Sequence, residues 1–343
     1  MTTGPPRRLR LTRAQVLAHR RRVGALDVRL PAGGQSVRQA AWAGLQDSMP
    51  RAALLSLHAR VEGTGPLAWQ DPALVQLWGL RYSTYAVPAQ DRALFTVGRL
   101  PDDPAKRRLA LQLADALEAS LAGRRLGDVA AARALGVHPN RLRYAAPTGR
   151  VLIRWDGARQ PTIWTVAPPA LDPAAARLEL ARRHLHVFSP ATPVSFAQWA
   201  GVPDAAGAAA FAALAAELVP VRTEVGDAWM LAQDEALLRA RPAPAARARL
   251  LPSGDCFFLC WNADRALLVP DASLRERLWT SRVWPGALLV AGDIAGTWRR
   301  AGADLSVEPW RPLKPAERDA IVEEGEALPL PELAGRVRVR FVD

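Results

Sequence analysis

Residues 126–166 read LGDVAAARALGVHPNRLRYAAPTGRVLIRWDGARQPTIWTV. Leu126 to Leu135 is a short helix, and Gly136-Val137-His138 is a turn. Pro139 opens a further helix that runs to Ala146. Val151 to Trp155 and Thr162 to Val166 then carry the β-branched and aromatic residues of strands, joined across the turn Asp156-Gly157. Upstream, Asp103-Pro104 starts a helix whose apolar side is Leu109, Leu111, Leu113, Leu117 and Leu121. Helix, helix, tight glycine turn, helix, hairpin is the element order of a winged helix, a helix-turn-helix variant.

The order recurs downstream. Pro173 to Val187 is a helix that Ser189-Pro190 breaks. Pro193 to Ala200 is a short helix, Gly201-Val202-Pro203 a turn, and Asp204 to Leu218 an alanine-rich helix. Val219 to Val225 and Ala228 to Ala232 form a hairpin across Gly226-Asp227. Arg239 to Arg249 reads as a linker. Beyond it, Cys256 to Trp261, Ala287 to Val290, Ile294 to Trp298, Leu305 to Trp310 and Val337 to Val342 are strand-like. Two helices interrupt them, Leu274 to Trp279 and Pro315 to Leu328, as in a small mixed β-barrel or sheet domain.

At the other end, Thr12 caps a helix to about Val23, and Pro31-Ala32-Gly33-Gly34 is a break. Ser36 caps a second helix, through Trp42, up to Gln46. Arg51 to Val61 is helical by the spacing of Leu54, Leu55, Leu57 and Val61, and Asp71 to Trp78 reads as a short helix. Arg81 to Val87, ending at Pro88, suits a strand.

The chain of 343 residues has 45 Lys plus Arg against 33 Asp plus Glu, a net charge of +12, and Lys106 and Lys314 are the only lysines. Guanidinium forks match phosphate oxygens, so this balance points to a polyanionic partner. A GC-rich genome would explain arginine over lysine, though not the excess of cations over carboxylates. Cys256 and Cys260 are the only cysteines. They form neither a disulfide framework nor a CxxC pair, and they sit in an apolar run as buried thiols. No signal peptide or membrane-length apolar run is present, so a cytoplasmic, nucleoid-associated location is expected. His184 and His186 lack a third ligand nearby, and no glycine-rich phosphate loop joins a strand to a helix. No metal or cofactor is expected.

Four segments carry a wider likeness. They are Ala43 to Ser48 continuing through Leu57-His58-Ala59-Arg60; Trp78-Gly79-Leu80-Arg81 through Val87-Pro88; Phe188 to Pro193 with Trp199-Ala200-Gly201; and Trp261 to Arg265 followed by Val290 to Trp298. In this order and over nearly the whole chain, they resemble the AlkZ/YcaQ family of bacterial winged-helix proteins. That family includes DNA glycosylases that excise alkylated bases and open interstrand crosslinks. The resemblance implies an α+β protein with three tandem winged-helix units around a concave basic surface, followed by a C-terminal mixed β-barrel-like domain. The expected bounds are 1–102, 103–170, 171–240 and 241–343. The expected partner is double-stranded DNA, damaged or crosslinked forms included, bound by a monomer.

The resemblance also names candidate residues. The family's first segment carries a Gln-x-Gln or Gln-x-Asp pair. Counting back from Arg60 places Gln46 in the first position and Ser48 in the second, a departure. Gln46 can hold a water against an oxocarbenium-like state, and Ser48 is a shorter, neutral second partner. Asp47 offers a carboxylate, but one position along its side chain points elsewhere. The three residues also suit helix termination before Pro50. The family's second segment is a strand bearing Thr and His, where Ser83 and Tyr85 stand here. Tyr85 and Arg81 are candidates for DNA contact, although Tyr85 can equally pack under the wing. Arg141, Arg143, Arg150, Arg154 and Arg159 surround the second unit's third helix and hairpin, elements that touch groove and backbone in a winged helix. Arg20-Arg21-Arg22 and Lys106-Arg107-Arg108 read as ordinary helix faces. Arg336, Arg338 and Arg340 alternate onto one strand face. Two functions follow: a DNA glycosylase, or a noncatalytic DNA-binding sensor or regulator that keeps the scaffold.

Overall fold

The computed structural model describes residues 8–157, 159–242, 244–330 and 337–342. A short strand β1 (Leu9–Arg10) leads into α1 (Arg13–Val23). Thr12 caps α1 in a reciprocal box with Gln15. Helix α2 (Gly34–Ala40) starts at Gly34, so Ser36 lies inside it rather than at its cap. It also stops at Ala40, well before Gln46. Gly44, at φ +75°, turns the chain out between Tyr85 and Phe95 and delivers Gln46 onto a strand, β2 (Leu45–Gln46). Helix α3 (Ala52–Arg60) follows.

Where a helix over Asp71 to Trp78 is expected, the chain forms strand β3 (Leu74–Trp78). Leu74, Leu77 and Trp78 have helical spacing, but β3 is covered on both faces, and this masks the period of two. Strand β4 (Thr84–Pro88) and helix α4 (Arg92–Thr96) complete this region. Next come α5 (Pro104–Leu121), β5 (Leu126–Gly127), α6 (Asp128–Ala134), a 3-10 segment Pro139–Thr148, and the hairpin β6 (Val151–Arg154) and β7 (Thr162–Thr165). The buried side of α5 is Ala110, Ala114, Leu117 and Leu121, whereas Leu109 and Leu111 are exposed. Alanines in the four-residue ladder set that face, and they are easily overlooked beside the leucines. The strands join into one six-stranded sheet, β2-β4-β3-β6-β7-β5, whose two halves meet at the pair Gln76 and Ile153.

Helices α7 (Pro173–Val187), α8 (Pro193–Ala200) and α9 (Asp204–Ala213) precede strands β8 (Leu218–Thr223) and β9 (Gly226–Leu231) and helix α10 (Glu235–Arg239). Helix α9 ends before the expected Leu218. Strand β1 pairs in parallel with β8, so the N-terminus belongs to this small sheet. Arg20 and Arg21 are buried and do not form a solvated helix face. Arg20 donates to the Phe188 carbonyl at 2.7 Å and to Asp264 at 2.6 Å, while Arg21 donates to Asp27 and to the Gly292 carbonyl. Carbonyls of the break at Ser189-Pro190 need buried donors, and α1 supplies them.

The rest holds β10 (Ala248–Leu251), α11 (Ala263–Leu268), α12 (Ala272–Leu278), β11 (Gly286–Val290), β12 (Asp293–Ala301), β13 (Asp304–Pro309), α13 (Pro315–Glu326) and β14 (Arg338–Phe341). Its sheet runs β10-β11-β12-β13-β14 and is open, so the expected barrel is not closed among the described residues. The expected linker 239–249 spans the end of α10 and the start of β10; residue 243 lies outside the described residues. Cys256 to Trp261 is not a strand. Asp255 gathers the backbone N–H groups of Phe257 and Leu259 and folds the segment into turns. Both cysteines are buried there, and burial pushes the Cys256 thiol up to about 12. Arg338 and Arg340 share a face and reach Asp304 at 3.0 and 3.4 Å, and Arg336 lies outside the described residues. No described helix is long and apolar enough to cross a membrane.

Candidate active site and nucleic-acid interface

Gln46 pairs in register with Tyr85 across β2 and β4, so the two side chains share a face of the sheet. The Gln46 Nε2 donates to Ser48 Oγ at 3.3 Å. Its Oε1 is buried and has no hydrogen-bond partner among the described residues. Gln46 and Ser48 line a cleft of about 290 Å3 together with Met49, Arg81, Trp261 and Arg282. Ser48 also borders a second cleft of about 500 Å3, walled by Tyr82 and Ser83 on one side and Asn140 and Arg143 on the other. One exposed serine thus stands between two neighbouring depressions.

Arg81 is fixed from three directions. Its Nη1 donates to the Trp199 carbonyl at 2.7 Å, its Nη2 to the Tyr85 hydroxyl at 2.9 Å, and its guanidinium lies 4.7 Å from the Trp261 ring centre. Tyr85 is 1% exposed, so it supports Arg81 from beneath and does not reach the cleft surface. Buried Arg99 takes the next carbonyl of α8, Ala200, at 2.7 Å, and also bonds the Gly79 carbonyl. Burial lowers its pKa to about 10. Two arginines therefore cap the C-terminus of α8 and tie it to the turn carrying Arg81.

Asp47 points to the opposite face, as strand alternation requires. Its carboxylate accepts from Ala53 N at 2.9 Å, which caps α3, and from Gln76 Nε2 at 2.6 Å. Gln76 in turn bonds both backbone groups of Trp155. Burial raises the Asp47 carboxyl to about 6. The role of Asp47 is therefore to join α3, β3 and the β6–β7 hairpin.

The other arginines fall into different settings. Arg141 is exposed and Arg143 half-buried against Asn140 at the second cleft. Arg150 is held by Asp115 at 2.5 Å and by Glu118, both on α5. Arg154 lies over the Trp69 ring at 4.1 Å. Arg159 is exposed at the hairpin turn, its N–H bonded to Asp156. Among the described residues no three His, Cys, Asp or Glu side chains are grouped to hold a metal.

Arg282, Trp284 and the Ser253-Gly254 turn escape sequence reading, because they reach Gln46 from more than two hundred residues away. Only the turn has a local signal, Pro252-Ser253-Gly254. Gly254 has φ +76°, and a Cβ there would lie 3.1 Å from Gln46 Oε1. Gly254→Ala is expected to cost about 1–2 kcal/mol from the left-handed backbone alone. It should also displace the Gln46 amide, so denaturant titration and any base-release assay should both register it.

The loop bearing Gly254 is locked by a buried ion pair. Arg60, on α3, makes a two-pronged bond to Asp255, both contacts at 2.7 Å, with each side chain essentially inaccessible. Ser56 Oγ also donates to Asp255 at 2.7 Å. Burial opposes the charge on Asp255, but Arg60 and these hydrogen bonds outweigh it and hold the carboxyl below its usual range.

The family described as "DNA glycosylase AlkZ-like" matches residues 40–329. No curated protein matches the chain. Among solved structures, the Streptomyces sahachiroi DNA glycosylase AlkZ superposes with a TM-score of 0.78 at 17% identity, over 97% of this chain and 100% of that one. That likeness bears on the α+β fold, and the family match spans most of the sequence. The chain therefore belongs to the AlkZ-like DNA glycosylase family.

Proposed function

We propose that this chain is a repair protein that binds duplex DNA as a monomer through three tandem winged-helix units. These would occupy 1–102, 103–170 and 171–240, ahead of a β-rich domain over 241–343. It hydrolyses the N-glycosidic bond of an alkylated or crosslinked base. The observation that carries this reading is Gln46, in the wall of a cleft flanked by Arg81 and Arg282, with a buried Oε1 that has no partner among the described residues.

Glycosidic cleavage develops positive charge on the sugar. An amide oxygen presents the negative end of a fixed dipole to that charge. A base alkylated at a ring nitrogen leaves readily, so little acid catalysis is required. Ser48 holds the amide's orientation through Nε2. Arg81, supported by Tyr85, and Arg282 face the phosphate backbone, while Arg141, Arg143 and Arg159 extend the contact along the second cleft. Arg150 and Arg154 support that surface from within their ion-pair and stacking positions.

A second reading, a noncatalytic sensor or regulator, is favoured by Ser48 in the place of a family Gln or Asp and by Asp47 facing away from the cleft. Single-turnover kinetics on duplex carrying an N7-alkylguanine separates the two. Gln46→Ala is expected to slow abasic-site formation by about 10²-fold, and Ser48→Gln to maintain or raise it. Equal rates for Gln46→Ala and the parent would remove Gln46 from the mechanism. Structure-selective binding without base release would favour the second reading.

A further inference from the structure

The outer face of the small sheet β1-β8-β9 carries a feature that the proposed cleft chemistry leaves unused. Pairing in register places Arg10 beside Arg222, Arg222 beside Asp227, and Pro220 beside Trp229. Strand alternation puts these side chains on one face, while Val221 and Met230 fill the core on the other. Trp229 is 38% exposed, unusual for the largest apolar side chain. Arg222 reaches Asp227 at 2.6 Å, and Arg8 bonds the same carboxylate. Two guanidiniums therefore share one carboxylate, Arg10 lies beside them, and the three cations against one anion leave a net positive charge around an open ring. The face borders a depression of about 970 Å3.

This depression neighbours the proposed active site through shared walls. Thr192, Asp227 and Ala228 line both it and a smaller pocket, and that pocket shares Trp261 with the Gln46 cleft. Trp261 is thus the wall common to the Gln46 cleft and the pocket beside the sheet face.

We infer that the Arg10–Arg222–Trp229 face is a binding platform for a single DNA strand. An open indole offers a stacking surface to any unpaired base, and the flanking guanidiniums match its phosphates. A base pair within intact duplex presents no free π-face, so the exposed ring favours unpaired nucleotides. Such a platform would hold the strand next to a lesion where the duplex is locally opened. The inference rests on the Gln46 cleft being a DNA site.

The test is fluorescence anisotropy with the full chain, using a labelled oligothymidylate and a labelled duplex of equal length. Trp229→Ala is expected to weaken oligothymidylate binding by roughly 5- to 100-fold and to move duplex affinity by less than about twofold. Arg10→Ala should reduce the slope of log affinity against log salt for the single strand by about 0.7. Unchanged thermal midpoints would show that both surface variants are folded. Equal losses for strand and duplex would overturn the single-strand assignment in favour of a duplex contact. Unchanged oligothymidylate binding in both variants would overturn the platform altogether. A parent that binds duplex but not oligothymidylate rejects this inference and leaves the cleft reading intact. A parent that binds neither rejects both.

Discussion

A variant carrying Asp255→Ala is expected to lose about 3–5 kcal/mol of unfolding free energy. The partner left behind, Arg60, is only 1% exposed and keeps a full charge. Its attraction to Asp255 offsets the cost of removing both groups from water, and without the carboxylate that cost stands alone. The Ser56 hydroxyl and the Phe257 N–H lose their acceptor as well. Arg60→Met together with Asp255→Leu should recover a large part of the loss, because an apolar pair carries no buried charge. Denaturant titration of the single and double variants would measure this. A loss below about 1 kcal/mol, the scale of an exposed ion pair, would contradict a buried lock. The functional consequence is specific: the pair fastens α3 to the loop that sets Gly254 against Gln46, so activity should fall with stability.

The second large effect is acid sensitivity. Burial first, opposed by a bond to the His186 carbonyl, lowers the His19 pKa to about 4. Burial and nearby arginines lower His58 and His184 to about 3. The hydrogen bonding agrees with neutral rings. Nδ1 of His19 and of His184 is buried without a partner among the described residues, and His58 Nε2 faces an Arg29 guanidinium. In the unfolded chain these rings take up protons near pH 6.5, whereas in the folded protein they do not. Their stabilisation is therefore complete above pH 6.5 and is lost as pH falls toward 3–4. At pH 5 the three together cost about 6 kcal/mol relative to pH 7. Asp47 acts in the opposite sense. Its carboxyl is raised in the folded state, so it contributes stability below pH 4 that disappears as pH rises through about 6. This returns about 1 kcal/mol at pH 5. The net loss, about 4–5 kcal/mol, is a large share of a typical domain's stability. Denaturation midpoints at pH 7 and pH 5 would show it, and His184→Phe, which removes about 2 kcal/mol of it, should shrink the difference by nearly half. Equal midpoints at the two pH values would refute it.

Much of the architecture is legible because it is set locally. The helices expected from Thr12, Pro104, Pro173 and Pro193 begin there, capped by Thr12, Asp103, Asp172 and Thr192. The hairpin across Asp156-Gly157 has nearly its expected limits, whereas Gly226 and Asp227 lie in β9 and the turn before it falls at Glu224-Val225. Local signals fail where remote partners decide the conformation. The neighbours covering β3 turn a helix-like spacing into a strand. Gly44 redirects the chain so that Gln46 leaves the helix expected for it. The site is legible only in part for the same reason. Counting back from Arg60 reaches Gln46, and Asp47 faces away as alternation demands. The partner that explains Arg60 is Asp255, 195 residues on, and the Gly254 that closes on Gln46 is next to it. Tyr85 and Arg150 look alike as surface candidates in a linear reading. In the fold, Tyr85 is buried beneath Arg81, and Arg150 is bound to two carboxylates of α5.

The central claim is that the Gln46 cleft releases a damaged base. The most direct measurement is mass spectrometry of the small-molecule fraction after excess protein meets duplex containing N7-methylguanine. Free N7-methylguanine in amounts matching the abasic sites formed is the expected result. Duplex that is bound yet recovered with every base attached would contradict the claim.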